Sequence, residues 1–107
     1  MKLTGKCKEE FEKWLLYCGV YGEYEYHLDE DLVSHFENLK TSMKYGVYVD
    51  FFDSVGIYVQ IETRLFDNEH PVYIYHKRNY TRVGRYKKRP EARTTAIEKA
   101  NEIYNKI

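Results

Sequence analysis

Eight cations fall within residues 77–93: Lys77, Arg78, Arg82, Arg85, Lys87, Lys88, Arg89 and Arg93, with Glu91 the one acid among them. Tyr80 and Tyr86 are interleaved with these cations, and Tyr73 and Tyr75 come just before. Cationic side chains hold phosphates and tyrosine rings stack on unpaired bases, so the mixture is a nucleic-acid footprint. Lys87, Lys88 and Arg89 also crowd the start of a helical pattern that opens at Pro90. A helix N-terminus carries partial positive charge, so each cation there costs about 0.3–1 kcal/mol. Arg89 and Arg93 add an i,i+4 repulsion. A bound anion relieves these terms, because a helix N-terminus already presents free N–H groups to phosphate. The alternative is a solvated basic face paired with Glu23, Glu25, Asp29, Glu30 and Asp31.

Other residues offer weaker chemistry. Asp50 and Asp53, at i,i+3, can share a helix face, and paired carboxylates bind metal or exchange protons. The same spacing makes the hydrophilic side of an amphipathic helix, which is the reading we take. His70 and His76 flank a predicted strand with Glu62 on its neighbour, a spacing that does not specify three convergent metal ligands. His27 and His35 stand alone. Cys7 and Cys18 lie on one predicted helix, about 16 Å apart at 1.5 Å per residue and beyond disulfide reach. They read as reduced thiols in a reducing compartment. No CxxC pair supports a zinc site. Nucleophile-elbow, Walker, dinucleotide-binding and HExxH motifs are missing. The expectation is a non-enzymatic protein with no cofactor and no small-molecule substrate.

The elements that must position these residues follow from periodicity. Phe11, Trp14, Leu15 and Cys18 recur at helical spacing, with Thr4 as a cap and Gly19 as a stop, predicting a helix over 5–18. Residues 20–28 alternate and suggest an extended segment. Asp29 opens a short helical turn carrying Leu32, Val33 and Phe36. Leu39, Met43, Val47 and Phe51 repeat every four residues until Gly56. The period then becomes two. Strands are expected at about 57–64, 71–77 and 81–86, joined by a polar turn over 65–70 and a turn at Asn79 and Tyr80. Pro90 starts a helix over about 90–106, with Ala92, Ala96, Ala100, Ile103 and Ile107 on one face. The predicted fold is one α+β domain over 1–107: N-terminal helices, a three-stranded antiparallel meander and a closing helix packed on it.

Composition agrees with a single globular domain of 107 residues, 43% hydrophobic and 32% charged. No apolar run approaches a membrane span, and the polar stretch from Met1 to Glu12 reads as no secretory signal. The formal net charge of zero hides an asymmetry. Residues 1–53 carry six lysines against eleven acids, a net of −5, and residues 54–107 carry eleven cations against six acids, a net of +5. Twelve tyrosines must supply part of the core of this leucine-poor chain, and the remainder are free for an interface.

Two resemblances add expectations. The order helix, three strands, helix over 42–107 resembles the double-stranded-RNA-binding domain. The segment Lys88-Arg-Pro-Glu-Ala-Arg-Thr-Thr-Ala-Ile-Glu-Lys-Ala100 looks like its closing basic cluster and Ala-rich helix. That resemblance implies phosphate contacts from Lys88, Arg89 and Arg93 across a major groove, and places His70 near a minor-groove loop between the first two strands. Met43 to Ile57, Arg89 to Asn105 and the Phe-Glu-Lys-Trp at 11–14 are similar to small phage and prophage proteins of gut Bacteroidetes. This similarity implies an accessory protein in the cytoplasm of a bacterial host and no catalytic residues.

Together these readings predict contact with nucleic acid, RNA or DNA, or another polyanion. The face would comprise Lys77, Arg78, Arg82, Arg85, Lys87, Lys88, Arg89 and Arg93 with Tyr80 and Tyr86. The alternative is a module that engages or inhibits a host protein through the acidic N-terminal half and exposed tyrosines such as Tyr24, Tyr26, Tyr73 and Tyr75.

Overall fold

The computed structural model describes residues 1–17 and 29–107. Cys18 and the alternating stretch 20–28 lie outside the described residues, as do Glu23 and Glu25. The elements are α1 (Gly5–Tyr17), α2 (Asp29–Glu37), α3 (Thr41–Ser54), β1 (Ile57–Ile61), β2 (His70–His76), β3 (Asn79–Tyr86) and α4 (Arg89–Asn105). The strands form an antiparallel sheet in the order β1-β2-β3. Helix α4 packs against all three strands and α3 against β1. The expected α+β architecture is therefore present.

The core is aromatic. Phe11, Phe36, Phe51, Phe52 and Tyr48 are buried, as are Cys7 and Leu15 one turn to either side of Phe11. The Phe11 ring lies 5.0 Å from Phe36, 5.0 Å from Tyr48 and 5.4 Å from Phe51. Tilted and edge-on pairs at this spacing are favourable beyond the area they bury. Against the sheet the packing is finer grained. Ala92, Ala96 and Ala100 are fully buried, so α4 approaches Val72 and Ile74 with its backbone close to the strands.

Several local expectations are corrected. Met43, placed on the apolar stripe of α3, is 55% exposed, and the buried set begins one turn later at Val47. Ile107 lies beyond the end of α4 and is exposed. β1 ends at Ile61 instead of 64, because Glu62 N–H donates to the Pro71 carbonyl but proline has no N–H to return; the same register resumes in a single bridge between Arg64 and Glu69 before Asn68, at φ 54°, turns the chain back. That turn is not uniformly polar: Leu65 and Phe66 project from it, 87% and 105% exposed. His70 is not in the loop but is the first residue of β2, half-buried and opposite Tyr86. Asn79 and Tyr80 do not turn the second hairpin. They pair with His76 and Tyr75, and Lys77 and Arg78 make the turn, with Lys77 at φ 57°. Gly56 stops α3 as expected, at φ 79°.

Helix α1 is capped from the far end of the chain. Thr4, the expected cap, presents its backbone carbonyl to Lys8 N–H, but its hydroxyl accepts from Asn101 Nδ2 at 3.0 Å. The free Cys7 N–H donates to Asn105 Oδ1 at 2.8 Å, and Asn105 Nδ2 donates to the Thr4 carbonyl at 3.0 Å. Thr4 N–H donates to Asn101 Oδ1 at 2.9 Å. Gly5, at φ 59°, leaves room for this clasp: a Cβ there would stand 3.2 Å from Asn105 Oδ1. Two asparagines one turn apart on α4 thus fasten the start of α1.

Candidate nucleic-acid interface

Four of the eight cations, Lys87, Lys88, Arg89 and Arg93, gather where β3 hands over to α4. Lys88 occupies the cap position of α4 in extended conformation, and no side chain caps the helix. Lysine has no acceptor to offer the first-turn N–H groups, and Glu91 is the one acid in the first turn that offsets the positive character of that end. Pro90 follows in the first turn, which presets the helical φ without needing a partner for an N–H.

Arg89 and Arg93 stand one turn apart on this end of α4, and both are held by neutral groups. Arg89 donates from its guanidinium to Thr63 Oγ1 at 3.0 Å. The Arg93 guanidinium lies over the Tyr45 ring, 5.6 Å from its centroid. Together with Ile61, these four residues line an open cleft of about 260 Å³. Thr63 is further oriented by His70 Nδ1 at 3.3 Å. Burial pushes the Tyr45 hydroxyl up from its ordinary value of 10.0, against a smaller opposing effect of the Arg93 charge, so it stays a neutral O–H donor. Two guanidinium forks and a threonine hydroxyl on one cleft, with the Tyr45 ring backing Arg93, suit a phosphoryl group.

The neighbouring cations are treated differently. Glu69, next to the β1–β2 turn, takes Arg85 Nε at 3.4 Å on one oxygen and Lys87 Nζ at 3.4 Å on the other. Lys87 also reaches the Asp67 carbonyl at 3.4 Å, and Arg64 lies 3.8 Å from the Asp67 carboxylate. Among the described residues, the partners of the basic face therefore come from its own half of the chain. Asp29, Glu30 and Asp31 belong to α2, and their side chains lie outside what is described. Among the described residues, no carboxylate lies within ion-pair distance of Lys88, Arg89 or Arg93.

The ten residues singled out from sequence divide into groups. Lys87, Lys88, Arg89 and Arg93 gather at the start of α4. Lys77 and Arg78 form the hairpin tip. Tyr80, Arg82 and Arg85 lie on β3 at positions that face away from the helices, paired with Tyr75, Tyr73 and Pro71. Tyr86 belongs to neither surface, because it packs against the cluster of Val72, Ala92 and Ala96. Sequence reasoning missed Tyr45 and Thr63, which only the tertiary fold brings to Arg93 and Arg89. It also missed Tyr58, whose place opposite Tyr75 depends on strand register.

Elsewhere the chemistry is weaker. Asp50 and Asp53 are exposed on α3. Partial burial, and then the Asp50 charge, raises the Asp53 carboxyl from its ordinary value. Among the described residues, no three His, Cys, Asp or Glu side chains group in a way that could hold a metal ion. A second cleft, of about 360 Å³ between α1, α2 and α3, balances Lys2 and Lys8 against Glu12 and Glu37 and so has no net preference for an anion. No described helix is long and apolar enough to cross a membrane. Comparison with known protein families, with curated proteins and with solved structures finds no match for this chain.

Proposed function

We propose that the chain is a non-enzymatic protein that binds nucleic acid or another polyanion through the basic face at the start of α4. The observation that carries this reading is the pair Arg89 and Arg93, held in place by Thr63 and Tyr45 while their charges stay uncompensated among the described residues. Holding two like charges together at a positive helix end costs stability, and a phosphate offsets that cost. Lys87 and Lys88 extend the same surface. In this reading the protein acts in the cytoplasm of a bacterial host as an accessory of a phage or prophage, the setting its sequence resemblance implies.

Salt dependence tests the reading. Each phosphate neutralised on duplex DNA contributes about −0.9 to the slope of log K against log salt. Duplex binding measured by fluorescence anisotropy is expected to weaken steeply from low to physiological salt. Replacing Arg89 and Arg93 by Gln should flatten the slope by about 2, and replacing both by Glu should abolish binding. Absence of binding to any duplex or single strand at low salt would overturn the proposal.

A second reading, a module that engages a host protein, draws on the nearly full exposure of Leu65 and Phe66 at the β1–β2 turn. Of the two, Phe is the residue type enriched at protein interfaces. A stoichiometric protein partner that survives nuclease treatment and is lost in Phe66→Ser would favour it.

A further inference from the structure

The face of the sheet turned away from α3 and α4 carries one tyrosine on each strand in a single row. Tyr58 on β1 is opposite Tyr75 on β2, and Tyr75 is opposite Tyr80 on β3. All three are exposed, at 52%, 39% and 62%. The Tyr75 and Tyr80 rings are stacked, with centroids 5.8 Å apart and planes 26° apart. Tyr73, in the next row between Gln60 and Arg82, lies 6.2 Å from Tyr80. Helices cover the opposite face, where Ile57, Val72 and Ile74 are buried.

Cross-strand aromatic contacts add to sheet stability, but that role does not account for three rings left in water beside cations that have no carboxylate partner among the described residues. Arg82 shares this face with Tyr73. Lys77 and Arg78 form the hairpin tip next to the Tyr75–Tyr80 pair. Among the described residues, none of the three cations has a carboxylate within ion-pair distance. The acids of the sheet, Glu62 and Glu69, sit at its other end, after β1 and before β2. The row therefore offers π-faces in a positive surround, which complements a strand of unpaired bases and its phosphates.

We propose that this open sheet face is a stacking platform for single-stranded nucleic acid, with bases on Tyr58, Tyr75 and Tyr80 and phosphates on Lys77, Arg78 and Arg82. The inference rests on the polyanion reading above but uses a different surface from the Arg89–Arg93 cleft. Because every base has a π-face, the platform tolerates sequence, and its preference is for bases that are unpaired.

The test compares three labelled probes: a ten-nucleotide oligothymidine, an abasic strand of equal length and phosphate count, and a blunt DNA duplex. The wild type should bind the base-bearing strand more tightly than the abasic one. Tyr58→Ser with Tyr80→Ser should cost about fivefold or more and bring the two strands level. Tyr80→Phe, which keeps the ring, should retain binding. Duplex affinity and circular dichroism of the serine variant should match the wild type, because both residues are exposed. Equal binding of base-bearing and abasic strands, with the duplex still bound, would overturn the platform and leave the polyanion reading intact. A protein partner lost with the two tyrosines, without any preference for bases, would also overturn it. Failure of all three probes to bind would overturn both.

Discussion

Under the proposed function, Glu69 sets how much of the described basic face a polyanion meets unpaired. It holds Arg85 and Lys87, whereas Arg89 and Arg93 are held by a hydroxyl and a ring. Surface ion pairs contribute little to stability, roughly 0–1 kcal/mol, yet they lower the local potential that a polyanion meets. Replacing Glu69 by Gln should therefore leave the fold intact and tighten duplex binding by about two- to fivefold at low salt, with the gain vanishing as salt screens it. Anisotropy titrations at two salt concentrations check this. Weakened binding in this variant would mean that Glu69 serves to orient the cations, not to offset them.

At the scale of elements, the contact between α1 and α4 carries a comparable prediction. Asn105 satisfies Cys7 N–H and the Thr4 carbonyl at once. Removing a helix cap costs about 0.5–2 kcal/mol, so Asn105→Ala should lower unfolding stability by about that amount in a urea titration, and Asn101→Ala by less. Sequence periodicity located α3, the three strands and α4 to within a few residues, because each is set by a repeat of apolar side chains along a short window. The cap of α1 was not legible, since its donor and acceptor are 98 residues apart in sequence. Nor was the second hairpin turn. Asn79 has the better turn chemistry, but pairing Tyr80 with Tyr75 shifts the turn onto Lys77 and Arg78. The candidate site was half legible for the same reason. Its cations form one run along the chain, whereas Tyr45 and Thr63, which orient two of them, come from α3 and the segment just after β1.

For the molecule as a whole, the aromatic core sets the response to alkali. Burial pushes the Cys7 thiol from its ordinary value of 9.0 up to about 12. The buried Tyr48 hydroxyl is also raised, by burial first and then by the Glu37 charge. Both groups keep their protons in the folded state at pH values where the unfolded chain loses them. The unfolded state then binds fewer protons, so stability falls as pH rises. The contribution of Cys7 is fully present below pH 9 and is lost between there and about pH 12, at no more than about 1.4 kcal/mol per pH unit. Urea midpoints measured from pH 8 to 11 should decline, and a Cys7→Ser variant should decline less steeply. A flat profile would show that the core admits water to these groups. The formal neutrality of the chain does not protect it from this effect, because the groups concerned carry no charge until they titrate.

The clasp between Asn105 and the first turn of α1 also orders events in time. As the chain is synthesised, the residues of α1 emerge before those of α4, and the acceptor for Cys7 N–H emerges 98 residues after its donor. Until then α1 is an open-ended helix of 13 residues, near the length below which isolated helices are marginal in water. The sheet and α4 can assemble around contacts that are close in sequence, whereas closing so long a loop carries an entropic cost that must be met before the clasp forms. A helix made before the sheet and α4 is thus completed after them, and its docking reports that the rest of the domain is already in place.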